Sequence, residues 1–171
     1  MLPVHGAHRL LHGRAGRHGQ LLAGRLREPL HRGEHQHELG KTFPGATTPY
    51  GMVQVSPNTI TGGDNSPGYS YEHTTIEGFA FTQMSGVGWF GDLGNLLVMP
   101  TTGPLQKIAG REDGSIGGYR SRYDKATETA RAGYYSALLT DYGIRAESSA
   151  TPHCGILRFT YPEADDAFIL V

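Results

Sequence analysis

Cysteine is almost missing from this chain: of 171 residues only Cys154 carries a thiol. One thiol cannot close an internal disulfide, and Cys₂ and Cys₄ metal sites are excluded. Standing alone, Cys154 is read as a small half-buried strand residue rather than a nucleophile. Long apolar runs are missing as well. No stretch approaches the ~20 residues that a membrane span requires, so no membrane partner is expected. Net charge is nearly missing too, −1 at pH 7, which removes the electrostatic footprint of a nucleic-acid binder. With 37% hydrophobic and 18% charged residues, the composition is that of a soluble globular domain rather than a disordered one.

A second set of absences is local. Residues 1–40 contain no Asp, Lys, Phe, Tyr, Trp, Ser or Thr, yet hold seven of the nine histidines and six of the twelve arginines. Six Arg against three Glu give this stretch +3, while the rest of the chain carries −4. Its longest apolar stretches, such as Leu21-Leu22-Ala23, are too short for a secretory signal, and the lack of Ser argues against a transit peptide. A basic arm for nucleic acid or membrane is the functional alternative. Arg, Gly, His, Leu, Pro, Ala and Gln are also what GC-rich DNA yields when read out of frame. On that reading His31, His35 and His37 are not zinc ligands, despite their spacing.

What is present from Lys41 onward is turn chemistry. The chain has 25 Gly and 10 Pro, and short apolar runs alternate with Gly, Pro, Asn and Asp, the pattern of an all-β domain. Met52-Val53-Gln54-Val55 reads as a strand closed by Ser56-Pro57-Asn58. Gly62 to Gly68 is a loop, and Tyr69-Ser70-Tyr71 alternates. Gly78 to Thr82 alternates aromatic against small residues. Asn95 to Met99 is a buried-type strand stopped by Pro100. Tyr134 to Leu139 and Ile144 to Ala150 flank Asp141-Tyr142-Gly143 as a hairpin. Gly155 to Tyr161 and Phe168 to Val171 follow. Only Asp124 to Ala130 has helix-compatible composition, and it is too short to anchor a helical layer. The sum is an antiparallel β-sandwich of roughly eight to ten strands.

Gly86-Val87-Gly88-Trp89-Phe90-Gly91 has the letters of a dinucleotide-binding loop. Such a loop must open a helix whose N-terminus faces the pyrophosphate, and here a loop and a short strand follow, so nucleotide binding is rejected. The glycines instead let backbone approach a ligand closely. Trp89 on such a loop can stack on the apolar face of a sugar, or pack on a neighbouring domain. Asp64 and Asp92 are acids in Gly-rich loops. A glycosidase needs two carboxylates flanking the scissile bond, and the sequence pairs no two of Asp64, Glu77, Asp92, Asp113, Asp124 and Glu128. The structural alternative for each is a turn or cap acid. His73 and His153 lack the nucleophile-elbow pattern that a Ser-His-Asp triad would need.

The stretch from His37 to Pro57, with Gly40-Lys41-Thr42-Phe43-Pro44-Gly45-Ala46 and Thr48-Pro49-Tyr50-Gly51-Met52-Val53-Gln54, closely resembles the opening of glycoside hydrolase family 92. Four more segments agree in order: Pro67 to Tyr71; Gly78 to Gly88, with its Met84-Ser85-Gly86-Val87-Gly88 core; Gly91-Asp92-Leu93-Gly94-Asn95 to Pro100; and Glu128-Thr129-Ala130 with Gly133-Tyr134-Tyr135. The Gly155 to Pro162 strand fits too. The resemblance covers residues 37–171. It implies a galactose-mutarotase-like β-sandwich that precedes a C-terminal (α/α)₆ barrel in calcium-dependent, exo-acting, inverting α-mannosidases of N-glycans and mannans. The barrel would supply the catalytic carboxylates and the Ca²⁺ ligands. The sandwich, with no catalytic and no metal-binding residue of its own, would lend its loops to the rim of the mannose site. Asp64, Gly86, Gly88, Trp89 and Asp92 are the substrate-binding candidates. The implied partners are an α-mannoside glycan and the catalytic domain, and the implied location is periplasmic or extracellular.

The sequence departs from the family where Gly63-Asp64 stands for a frequent Trp-Asp, and where Phe81 and Gln83 replace two histidines; Trp89 is the candidate replacement for the lost aromatic. The resemblance also bears on the Arg/His-rich stretch. Arg27 to Gly33 can be encoded CGT GAA CCC CTT CAT CGG GGC, which read one base later spells Val-Asn-Pro-Phe-Ile-Gly, similar to the family's usual opening. Residues 1–36 are therefore expected to be an unstructured, frame-shifted segment, and 37–171 the sandwich domain. Phe168 to Val171 ends the chain inside an apolar strand, as expected of a domain cut off before its catalytic partner. A free-standing carbohydrate-binding module and a non-functional gene fragment are the rival readings.

Overall fold

The computed structural model describes residues 43–60, 68–83 and 95–171. Among them no helix forms, and nine strands do. In chain order these are β1 (Ser56–Asn58), β2 (Thr75–Ile76), β3 (Gly78–Ala80), β4 (Met99–Thr102), β5 (Ser121–Arg131), β6 (Tyr134–Leu139), β7 (Ile144–Ala150), β8 (Gly155–Thr160) and β9 (Ala167–Leu170). Every named pairing is antiparallel, which agrees with the expected all-β sandwich.

One layer is a five-stranded sheet in the order β2-β5-β6-β7-β8. The facing layer is built from the pairs β1-β3 and β4-β9. It is stitched together where Phe79 and Val98 exchange backbone hydrogen bonds of 2.8 and 2.9 Å. The core lies between the layers. Tyr135, Ala137, Leu139, Ile144 and Ala146 come from the large sheet and meet Phe79 and Met99 from the other. The alternation in β6 and β7 produces this directly, because side chains two apart share a face. Tyr135, Ala137 and Leu139 are all fully buried. Phe79 fills the middle, tilted against the rings of Tyr135 and Phe159 with centroids 6.5 and 6.0 Å away. Such tilted contacts suit the ring quadrupoles.

The predicted β6-β7 hairpin forms, with a register that runs from Tyr134 opposite Ser149 to Leu139 opposite Ile144. Gly143 takes φ +64° in its turn, a conformation that costs glycine least. Two boundaries differ from expectation. The closing turn Ser56-Pro57-Asn58 is itself β1, and Pro100 lies inside β4 opposite Ile169. β1 pairs with β3 alone, so Pro57 sits on an edge, where a missing N–H leaves no ladder bond unmade. On its β3 side, β4 is open beyond Val98, which gives Pro100 the same licence.

The helix-compatible stretch Asp124 to Ala130 lies within β5. There the strand bulges: residues 125–128 face the single residue Ala137 of β6. Asp124 accepts the Ala126 N–H at 2.8 Å, and the Thr127 hydroxyl accepts the Leu138 N–H at 3.1 Å. These bonds satisfy backbone groups that the interrupted ladder releases. Cys154 also corrects its expectation. It is exposed and stands in the turn between β7 and β8, its N–H bonded to Thr151 Oγ1 at 3.0 Å.

Candidate functional site

The five candidates Asp64, Gly86, Gly88, Trp89 and Asp92 lie outside the described residues, in the segments 61–67 and 84–94. Their stems are described, and they converge. On the first segment, the Thr59 and Ile60 N–H groups both donate to the Gly68 carbonyl, at 2.7 and 3.3 Å. Thr59 Oγ1 accepts the Ser70 N–H at 2.8 Å and lies 3.1 Å from His73 Nδ1. On the second, Gln83 N–H donates to the Gln54 carbonyl at 3.3 Å, and Asn95 N–H to Thr82 Oγ1 at 3.2 Å. The stems meet where Gln83 Nε2 donates to Asn58 Oδ1. Asn58 and Gln83, from the flanks of the two segments, are buried together there, while the Thr82–Asn95 contact is exposed.

Arg120 braces this patch from below. Its guanidinium donates to the Thr59 carbonyl at 2.6 Å and to Thr75 Oγ1 at 3.2 Å, and it pairs with the Glu77 carboxylate. The side chains of Arg120 and Glu77 are only 9% and 2% exposed. A carboxylate so buried needs a charged partner, or it would be driven neutral. Glu77 is thereby committed to Arg120.

Beside the patch, three tyrosines surround Glu128. The Tyr69 and Tyr135 hydroxyls donate to its carboxylate at 3.0 and 2.9 Å, and the Tyr123 hydroxyl donates to the His73 carbonyl at 3.2 Å. The β5 bulge re-aims Glu128 toward them, a common use of bulges. Burial first, and the Glu128 charge second, pushes all three hydroxyls above the ordinary tyrosine range. They are permanent donors. Lys125, on the same bulge, sits 4.1 Å over the Tyr71 ring. Burial lowers its pKa, against the raising charges of Glu128, Glu112 and Glu72.

The remaining sequence candidates scatter. Asp113 and Asp124 accept local backbone N–H bonds in a turn and in the bulge. His73 faces Glu112 at 3.3 Å, and His153 is exposed in the β7-β8 turn. Among the described residues no three His, Cys, Asp or Glu side chains gather as a metal site. Arg120, Asn58 and Tyr69 escaped the sequence reading as partners in a cluster, because the groups they bond lie 25 to 61 residues away. The one available signal was that Tyr69, Glu128 and Tyr135 all fall in segments carrying the family resemblance.

The fold is an all-β sandwich in which Asn58 and Gln83, from the flanks of two Gly-rich stretches of sequence, meet at one polar contact. The chain belongs to glycosyl hydrolase family 92, as its N-terminal domain: the family's N-terminal-domain profile matches residues 29–171. The match begins upstream of residue 37. A family GH92 α-mannosidase from Bacteroides thetaiotaomicron superposes with a TM-score of 0.71 at 43% identity, over 75% of this chain and 17% of that one. A family GH92 inverting mannosidase from the same organism gives a TM-score of 0.64 at 26% identity, over 82% of this chain and 18% of that one. A protein described as an uncharacterized secreted glycosidase from Arthroderma benhamiae is 30% identical over 127 residues, 72% of this chain and 16% of its own length. The chain thus spans about a sixth of the relatives it matches.

Proposed function

We propose that this domain forms the sugar-binding rim of a secreted, exo-acting, inverting α-mannosidase that trims N-glycans or mannans. The observation that carries the reading is the likeness to a GH92 α-mannosidase at 43% identity with a TM-score of 0.71. The second solved relative is an inverting mannosidase, and the Arthroderma protein is described as secreted. In this reading the segments holding Asp64, Gly86, Gly88, Trp89 and Asp92 face the α-mannoside, and the stems hold them together. Inversion requires an acid and a base about 6.5–9.5 Å apart. Glu77 and Glu128 are already committed to Arg120 and the tyrosines, so both groups are assigned to the catalytic domain. The described residues do not fit a calcium site, and Ca²⁺ is assigned there too. The domain alone is then inactive.

The test is hydrolysis of an α-mannoside by the full-length enzyme, with the released anomer followed by NMR. Initial release of β-mannose, lost on chelation and restored by Ca²⁺, supports the reading; initial α-anomer or metal-independent turnover contradicts it. Trp89→Ala should raise KM for the mannoside, and unchanged kinetics would remove Trp89 from the rim. Mannoside binding by the 171-residue chain alone would favour a free-standing carbohydrate-binding module instead.

A further inference from the structure

The outer face of the large sheet carries a hollow of about 250 Å³. There β6, β7 and β8 set Tyr134 opposite Ser149 and Ser149 opposite Ile156, with Glu147 opposite Arg158 one pair along. Side chains two apart share a face. These five therefore stand together, while Tyr135, Ala146 and Leu157 turn to the core.

One half of the hollow is polar and fixed. The Tyr134 hydroxyl donates to Glu147 Oε1 at 2.7 Å, and Arg158 Nε donates to Glu147 Oε2 at 2.7 Å. The Arg131 guanidinium lies 4.7 Å over the Tyr134 ring and holds it in place. A carboxylate and a guanidinium each have more hydrogen-bonding sites than these contacts use. The other half is apolar: Ile156, 65% exposed, and the Tyr134 ring.

This combination selects a ligand. A simple anion would meet Glu147, and a simple cation would meet Arg131 and Arg158. An apolar group would cover the charged pair without bonding it, which is costly for polar groups taken from water. A neutral amide carries an N–H for Glu147 and a carbonyl for Arg158, and an acetamide adds a methyl group for Ile156 and Tyr134. The volume falls just below the roughly 300–1,000 Å³ of drug-sized sites, which suits one ring bearing such a group. A peptide offers the same amide, but the chain belongs to a glycosyl hydrolase family, which favours a sugar.

We propose that the hollow formed by Tyr134, Glu147, Ile156 and Arg158 binds a 2-acetamido sugar, and that it selects N-glycans, which contain N-acetylglucosamine, over mannans, which are built of mannose. The selection rests on the mannosidase reading above; the acetamido-sugar site itself does not.

The test is titration of the chain with methyl N-acetyl-β-glucosaminide, followed by amide NMR. The Ser149, Ile156 and Arg158 amides should move saturably, while Thr101 and Phe168 on the other layer stay in place. Methyl β-glucoside, the same ring without the acetamide, should bind about tenfold more weakly or worse, as expected when bonds to charged groups are lost. Arg158→Ala and Ile156→Ser, both exposed changes, should each weaken binding of the glucosaminide about tenfold. Amides that do not move overturn the site, and so does unchanged affinity in both variants. An equal response to methyl β-glucoside or to N-methylacetamide overturns the acetamido-sugar assignment. In the full-length enzyme Arg158→Ala should raise KM about tenfold for a mannose-terminated oligosaccharide that retains its N-acetylglucosamine core, with kcat within about twofold, and leave α-mannobiose kinetics unchanged. Unchanged KM for both substrates overturns the selection. If the enzyme hydrolyses no α-mannoside, the mannosidase reading fails, and the titration still decides the site.

Discussion

Tyr69 and Glu128, 59 residues apart, are joined by a phenol-to-carboxylate hydrogen bond of 3.0 Å. Tyr69 lies two residues beyond segment 61–67, and Glu128 sits on the β5 bulge. The contact ties Tyr69 to the large sheet. Removing the hydroxyl with Tyr69→Phe should cost about 1–2 kcal/mol, the range for a bond to a charged acceptor. Glu128→Ala should cost more, about 3 kcal/mol, because it strips the acceptor from Tyr69 and from the fully buried Tyr135 together. Urea midpoints measure both. Equal losses in the two variants would mean that Glu128 serves Tyr69 alone.

Arg120→Met tests the brace. It leaves the Glu77 carboxylate, 2% exposed, without its guanidinium, and a cost of about 3–5 kcal/mol is expected for a buried charge that loses its partner. Arg120→Lys should recover only part of that loss, because an ammonium cannot reach Thr59, Thr75 and Glu77 with one planar fork. Full recovery by lysine would reduce the brace to a point charge.

Gly68→Ala should destabilise the domain by about 2 kcal/mol or more. The positive φ alone costs about 1 kcal/mol, and the new Cβ collides with Asn58 and Gln83. Gly114 also has a positive φ but nothing within 4 Å of its would-be Cβ. Gly114→Ala is therefore the control and should show the backbone cost alone in thermal melts.

Acid should weaken the fold through Glu147. Hydrogen bonds from the Tyr134 hydroxyl and from Arg158, each 2.7 Å, hold its carboxyl below the usual range. At Asp141 burial works against the charge, but bonds from the Arg122 side chain and N–H outweigh it and lower the pKa. A carboxylate lowered in the folded state adds stability above its unfolded pKa of ~4, and that stability is lost as pH falls through the folded value. Urea midpoints should be flat near neutrality and fall below about pH 4. Glu147→Gln should start lower at neutral pH and fall less steeply. An unchanged slope would show that the carboxylate contributes nothing to acid unfolding.

Local pattern was enough for the strands that alternate. In β6 Tyr135, Ala137 and Leu139, and in β7 Ile144, Ala146 and Ala150, fall on one face, and the turn between the strands holds Asp141 and Gly143, so the hairpin could be read directly, and the β8 and β9 strands followed in the same way. The motif segments likewise identified the family. Prolines misled at β1 and β4, because a Pro stops a strand only where its missing N–H would be needed, and the identity of the neighbouring strand is a tertiary fact. The bulge in β5 was hidden for a related reason. Asp124 to Ala130 carries helix-compatible residues, and only the fixed spacing of Tyr123 and Thr129 against β6 forces the extra residues out, with Glu128 among them.

The sequence by itself determined the class, an antiparallel sandwich of family 92, since turn chemistry, period-two patterning and near-contiguous motifs are all local properties. It also marked the two Gly-rich segments as the place to look for a sugar. Only the tertiary structure decided that Asn58 meets Gln83, that Arg120 pairs with Glu77 beside them, and that Tyr69 and Tyr135 both reach Glu128. Those pairings depend on which strands become neighbours, and buried hydrogen bonds between residues far apart in the chain leave no periodic trace in it.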